Sequence, residues 1–150
     1  MNKPHKNIDK KRDSQKVIAT VLLLMMAYSI YSWLSLILSP LSFSEYLQRM
    51  NENSALFSEK TLYLHAISTT IIHCIGLVGS ALVIANVDVG KKIMLLSIIA
   101  WSMYNTGMLV HNIITNMSVG LYIMNILIGV GVFFLFKKFF FDNKLNASKA

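Results

Sequence analysis

The chain has 150 residues, of which 55% are apolar and 14% are charged, and its formal charge is +7. Soluble domains carry roughly 25% charged residues, so this composition excludes an ordinary soluble domain. A basic protein could bind nucleic acid, but here the basic residues lie in the tails and at the ends of apolar blocks. Because they do not line one face, we expect no nucleic-acid partner.

Charged side chains are absent from three long blocks of the sequence, residues 17–44, 61–87 and 93–136. The third block is long enough for two helices. A helix needs about 20 apolar residues to cross a hydrocarbon core of about 30 Å. The sequence therefore predicts an all-α membrane protein that forms an antiparallel bundle of four transmembrane helices. The predicted helices are residues 17–38, 61–85, 93–113 and 118–136.

Five polar or short segments separate and flank the predicted spans. In chain order they are a basic cytoplasmic tail (1–16), an extracytoplasmic loop (39–60), a cytoplasmic turn (86–92), an extracytoplasmic turn (114–117) and a second basic cytoplasmic tail (137–150). The first tail is too polar to bury a face and offset its ordering entropy. Pro40 is expected to end the first helix, and Gly90 is expected to form the bend between the second and third helices.

The loop at residues 39–60 contains the pattern of a short amphipathic helix. Ser42 followed by Glu45 fits a capping box, which places a helix at residues 43–50. The apolar residues of this segment recur at helical spacing on one face. They are Phe43, Tyr46, Leu47 and Met50. We expect this helix to lie on the outer membrane surface or over the mouth of the bundle.

The basic residues predict the orientation of the chain. If the four helices alternate in direction, twelve of the fourteen Lys and Arg residues fall on the side of the two tails, and only Arg49 and Lys60 fall on the other. The positive-inside rule then places both termini in the cytoplasm. The expected location is a lipid bilayer of the bacterial inner-membrane type, crossed several times.

Polar residues recur inside the predicted spans at broadly similar depth. Tyr28, His73, Asn105 and Asn125 all fall about 10 to 18 Å below the surface that carries the 39–60 loop. The second helix adds a polar and small stripe, made of His65, Thr69, His73, Gly76 and Ser80. Such groups usually hydrogen-bond between helices and fix their packing. The alternative is that they form the floor of a cavity, as in a small-solute carrier.

Function is the least determined property of this sequence. No Asp or Glu lies within the spans as a general acid or base, and Cys74 stands alone, so we expect no catalytic site, no disulfide and no metal cluster. The sequence favours a non-enzymatic accessory protein that binds a membrane-protein partner or a second copy, without a cofactor. One alternative is a redox protein in which His65 and His111 bind haem or a metal.

Overall fold

The computed structural model describes residues 3–52 and 58–141, with side chains described from residue 12 onward. Within these residues the chain forms five α-helices and a π-helical segment. They are α1 (Lys3–Leu38), α2 (Pro40–Asn51), α3 (Glu59–Ile84), α4 (Val89–Ile114), α5 (Gly120–Phe136) and the π-helical segment Lys137–Phe141.

Four of these helical stretches are long and apolar enough to cross a membrane. They are Arg12–Leu38, Glu59–Ile84, Val89–Ile114 and Gly120–Phe141. The predicted all-α membrane bundle with a short helix between its first two spans is confirmed. We refer to the side of the bundle that carries α2 as the α2 end. The opposite side, where α1 begins and the π-helical segment lies, is the terminal end.

The first helix begins earlier than the sequence predicts. α1 starts at Lys3, so the segment described above as a tail continues the spanning helix toward the terminal end. Pro4 lies in the first turn, where a missing backbone N–H costs no intrahelical hydrogen bond. The Lys, Arg and Gln residues that follow are good helix formers. Residues 1–2 of the first tail lie outside the described part of the chain, as do residues 53–57 and 142–150.

The predicted cap of the short helix is wrong. α2 begins at Pro40 rather than after Ser42, and Ser39 precedes it with an extended backbone. Pro40 suits the first helical position because its fixed φ is already helical. The hydroxyl of Ser42 instead lies 2.9 Å from that of Ser39. The apolar face is as predicted, since Phe43 is buried and Tyr46, Leu47 and Met50 are packed against the bundle.

The sequence predicts a bend at Gly90 between α3 and α4, but the chain does not bend there. Gly90 lies within α4, and Asn86 adopts the left-handed conformation with φ of 63°. Glycine is required at position 90 for a different reason, since a Cβ there would lie 2.7 Å from the backbone nitrogen of Val83. The two helices also lie close together at Gly79, where an added Cβ would lie 2.6 Å from the backbone nitrogen of Met94.

The helices pack in the order α1, α3, α4, α5, with α3 between α1 and α4. An apolar cluster lies at each end of the bundle. The cluster at the terminal end contains Ala19, Val83, Met94, Ile98, Phe136 and Phe140. The cluster at the α2 end contains Phe43, Leu62, Met108 and Tyr122. At the terminal end, Arg12 Nε also donates to Asn86 Oδ1 at 2.7 Å, and Gln15 Nε2 donates to the Phe139 carbonyl at 2.9 Å.

Candidate functional site

Between the two apolar clusters, polar side chains form hydrogen bonds inside the bundle. One of these bonds joins α4 to α5. Asn125 Nδ2 donates to Asn105 Oδ1 at 2.9 Å, and Asn105 Nδ2 donates to the Trp101 carbonyl at 2.8 Å. Asn105 is buried and Asn125 is half-buried. The structure thus brings together two of the four residues predicted to share a layer. Because Asn105 and Asn125 hydrogen-bond to each other, they stabilise the packing of α4 against α5.

Two further side chains of α4 make hydrogen bonds away from their own helix. Ser97 Oγ donates to the Ile72 carbonyl of α3 at 3.0 Å, and both ends of this bond are buried. Asn112 Nδ2 donates to the Ser118 carbonyl at 2.8 Å and so ties the end of α4 to the segment before α5. Polar side chains of α4 therefore contribute to packing at three positions, Ser97, Asn105 and Asn112.

The interior position predicted for Tyr28 is wrong. Its side chain is 74% exposed on the outward face of α1, and Tyr31, one turn later, is 71% exposed. The sequence does not say which side of α1 meets α3, and the contacts with α3 are made by other residues, such as Met26 beside Gly76.

The proposed pairing of His65 with His111 is not formed. His65 is buried, and its Nδ1 lies 3.1 Å from the hydroxyl of Tyr104. His111 is exposed in the last turn of α4. Among the described residues, no three His, Cys, Asp or Glu side chains come together as a possible metal site. The two histidines therefore lie in different surroundings.

An aromatic cluster surrounds His65 at the α2 end, with one ring from each of the five α-helices. Its members are Trp33 (α1), Tyr46 (α2), His65 (α3), Tyr104 (α4) and Tyr122 (α5). The His65 ring centroid lies 5.2 Å from Trp33, 5.5 Å from Tyr104 and 6.1 Å from Tyr122. Trp33 also contacts Tyr46 edge-on at 6.1 Å. Sequence reasoning missed this cluster, because it depends on the rotation of five helices about their axes.

Three polar atoms on the buried side of α3 have no hydrogen-bond partner among the described residues. They are Thr69 Oγ1, His73 Nδ1 and Ser80 Oγ. Thr69 is 5% exposed and Ser80 is fully buried, whereas His73 is half-buried. His73 Nδ1 is therefore buried, but it makes no hydrogen bond with the pair formed by Asn105 and Asn125. Unpaired polar atoms at this depth are energetically costly.

A groove of about 250 Å³ lies in the angle between the end of α1 and α2, which we call the α1–α2 groove. Its lining residues are Ser32, Trp33, Ser35, Leu36, Ser42 and Tyr46. Trp33 and Tyr46 belong to the aromatic cluster, so the cluster forms the inner wall of the groove. Burial raises the pKa of Tyr46, which keeps its phenol protonated and able to donate a hydrogen bond.

Comparison of the chain with protein-family models, with curated proteins and with solved structures finds no match. Three features of the fold bear on function. These are the outward tyrosines of α1, the aromatic cluster and the α1–α2 groove.

Proposed function

We propose that this protein is a non-enzymatic membrane protein that binds another transmembrane helix through the outward face of α1. The observation that carries the proposal is the exposure of Tyr28 and Tyr31, at 74% and 71%, within the first span. Tyrosine is common where a helix leaves the hydrocarbon and meets the head groups. Tyr28 and Tyr31 lie deeper in the hydrocarbon than this boundary.

The depth of the two tyrosines follows from their positions in α1. Tyr28 lies ten residues before Leu38, which places it about 15 Å from the α2 end, and Tyr31 lies about 10 Å from it. Side chains of a helix lean toward its N-terminus, so both phenols lean toward the terminal end and away from the nearer surface. Tyr28 therefore cannot readily extend its hydroxyl to the head groups of the nearer surface.

Neither phenol has a hydrogen bond within the described part of the chain. A hydroxyl left without a partner in an apolar environment costs roughly 1 to 3 kcal/mol by protein mutational data. A polar group on a partner helix would remove this cost, and interhelical hydrogen bonds of this kind contribute about 0.5 to 2 kcal/mol. The most economical explanation for two outward tyrosines at this depth is therefore a neighbouring helix.

The rest of the same face has the spacing that helix pairing needs. The exposed residues of the α1 stripe are Val17, Val21, Leu24, Tyr28, Tyr31 and Leu38. From Val17 to Tyr31 they recur in alternating steps of four and three, the repeat of left-handed helix pairs. Residues on one exposed face of any helix recur at nearly this spacing, so the spacing is compatible with pairing but does not indicate it. The hydroxyls of Tyr28 and Tyr31 are the reason to propose pairing.

Photo-crosslinking in native membranes tests the proposal. A benzophenone amino acid in place of Leu24, one turn from Tyr28, should give a protein adduct of one discrete mass. The adduct should disappear when Tyr28→Phe and Tyr31→Phe are combined, and it should persist with Tyr63→Phe, a half-buried tyrosine at the α2 end. The same probe at Leu127, an exposed position of α5, is the control for lipid contact. Lipid adducts alone at Leu24 would refute the proposal.

We also propose that the terminal end faces the cytoplasm, in a membrane of the bacterial inner-membrane type. The support is the excess of basic residues at that end, which the positive-inside rule associates with the cytoplasm. A reporter active only in the cytoplasm should work when fused after Ala150 and should fail when inserted at residues 51–54. Activity at the inserted site would reverse the orientation.

A further inference from the structure

The α1–α2 groove has a position and a lining that the proposed helix partner does not explain. It lies between α1 and α2 rather than along the α1 stripe. Ser35 lies about 4.5 Å and Ser32 about 9 Å from the end of α1, given the helical rise per residue. The groove therefore opens at the level where lipid head groups meet the acyl chains in the leaflet at the α2 end.

The hydrogen-bonding groups of the groove are of both kinds. Ser32 Oγ donates to the Tyr28 carbonyl and Ser35 Oγ donates to the Ser32 carbonyl, each at 2.9 Å, so both oxygens keep lone pairs for accepting. The Trp33 indole N–H and the Tyr46 hydroxyl make no hydrogen bond with any described residue. Their donors are available to a ligand, and a buried indole or phenol usually has a partner.

The groove carries no charge among its lining residues. A phosphate would need a cation there, and an amine would need a carboxylate, because a charged group moved out of water requires a counter-charge. The aromatic rings of Trp33 and Tyr46 meet edge-on at 75° and so form two walls of a corner. A ligand with apolar faces and a hydroxyl-bearing rim would match both walls and the serine oxygens.

We propose that the α1–α2 groove binds the neutral, hydroxyl-bearing head group of a membrane lipid, a single sugar ring. Its volume of about 250 Å³ suits a head group of that size and is smaller than a drug-sized pocket of about 300 to 1,000 Å³. The acyl chains would extend down the apolar part of α1 toward the terminal end. The head group would donate to Ser32 and Ser35 and accept from Trp33 and Tyr46.

Native mass spectrometry of the purified full chain tests this assignment. The protein is mixed with equimolar monoglucosyl dioleoylglycerol, dioleoylphosphatidylcholine and dioleoylphosphatidylglycerol, and the retained lipids are counted. We expect the glucolipid to be retained several-fold over both phospholipids. Equal retention of all three would show a lipid annulus only and overturn the proposal. Preference for phosphatidylglycerol would reveal an anion site, and preference for phosphatidylcholine would reveal recognition of the choline cation by the two rings; either result overturns it too.

Two variants locate the binding. Trp33→Phe keeps an aromatic wall and removes the N–H donor, and Ser35→Ala removes a hydroxyl at the rim. Each should lower glucolipid retention about fivefold, the effect of one hydrogen bond. Ser102→Ala is the matched control, because Ser102 lines a different groove between α4 and α5. Thermal unfolding of each variant shows that the fold is retained. Unchanged selectivity in both groove variants would place the glucolipid elsewhere and refute the assignment.

Discussion

Asn125 Nδ2 donates to Asn105 Oδ1 at 2.9 Å, and this bond links α4 to α5 in the middle of the bundle. Asn105 is only 1% exposed, so its oxygen has no access to water when Asn125 is replaced. We therefore expect Asn125→Leu to lower the free energy of unfolding by about 1 to 2 kcal/mol. The measurement is denaturant unfolding in micelles, followed by circular dichroism.

A double-mutant cycle separates this bond from other effects of the substitutions. Asn105→Leu with Asn125→Leu should cost less than the sum of the single changes, by about 0.5 to 1.5 kcal/mol, because the second change removes an already unpaired group. Thr106→Val combined with Asn125→Leu is the control, since Thr106 is exposed on α4 and bonds to the Ser102 carbonyl of its own helix. Additive costs for the asparagine pair would mean that the bond contributes nothing.

Thr69 and Thr70 are adjacent threonines in opposite situations. Thr69 Oγ1 is buried and has no partner among the described residues, whereas Thr70 Oγ1 donates to the Ala66 carbonyl at 2.8 Å. Thr69→Val removes an unpaired hydroxyl at constant shape, so it should raise the free energy of unfolding by about 1 kcal/mol. Thr70→Val should give no gain. A loss of stability in Thr69→Val would show that its hydroxyl is bonded, to water or to its own helix.

The sequence predicts the parts of this fold that depend on single helices. Three uncharged blocks, the third long enough for two helices, give the number of spans, and the spacing of Phe43 and Tyr46 gives the buried face of α2. It fails where the answer depends on neighbouring helices. Tyr28 was expected inside because it is polar, but α1 packs on α3 by another face. Gly90 was expected to bend because glycine often does, whereas Asn86 makes the turn and Gly90 permits close packing.

The candidate sites show the same division. The asparagines of α4 and α5 were predicted at similar depth from counting along each helix, and they meet in the structure. His65 and His111 were also matched by depth, but depth does not determine direction, and they face different surroundings. The rings of the aromatic cluster, His65 included, come from five helices, so no spacing within one helix could reveal them. The groove beside Trp33 depends on the angle between α1 and α2, which Ser39 and Pro40 determine.

Phe43 should be the residue that holds α2 against the bundle. Its side chain is 3% exposed and stacks on Tyr63 with ring centroids 4.0 Å apart, while Leu41 of the same helix is 76% exposed. Phe43→Ala should therefore increase hydrogen exchange in α2 by an amount equivalent to about 3 to 5 kcal/mol, up to complete loss of protection. Leu41→Ala should leave exchange nearly unchanged. Equal effects of the two substitutions would mean that α2 is not docked by this face.

Gly79 and Gly107 should respond in opposite ways to alanine. A Cβ at Gly79 would lie 2.6 Å from the backbone nitrogen of Met94, and α3 and α4 would have to separate to admit it. Gly79→Ala should therefore lower the free energy of unfolding by about 1 to 3 kcal/mol. A Cβ at Gly107, within α4, meets no atom within 4 Å. Gly107→Ala should raise the free energy by up to about 1 kcal/mol, because alanine favours the helix over glycine. Both are measured by unfolding in micelles, and a stabilising Gly79→Ala would contradict the close approach of α3 to α4.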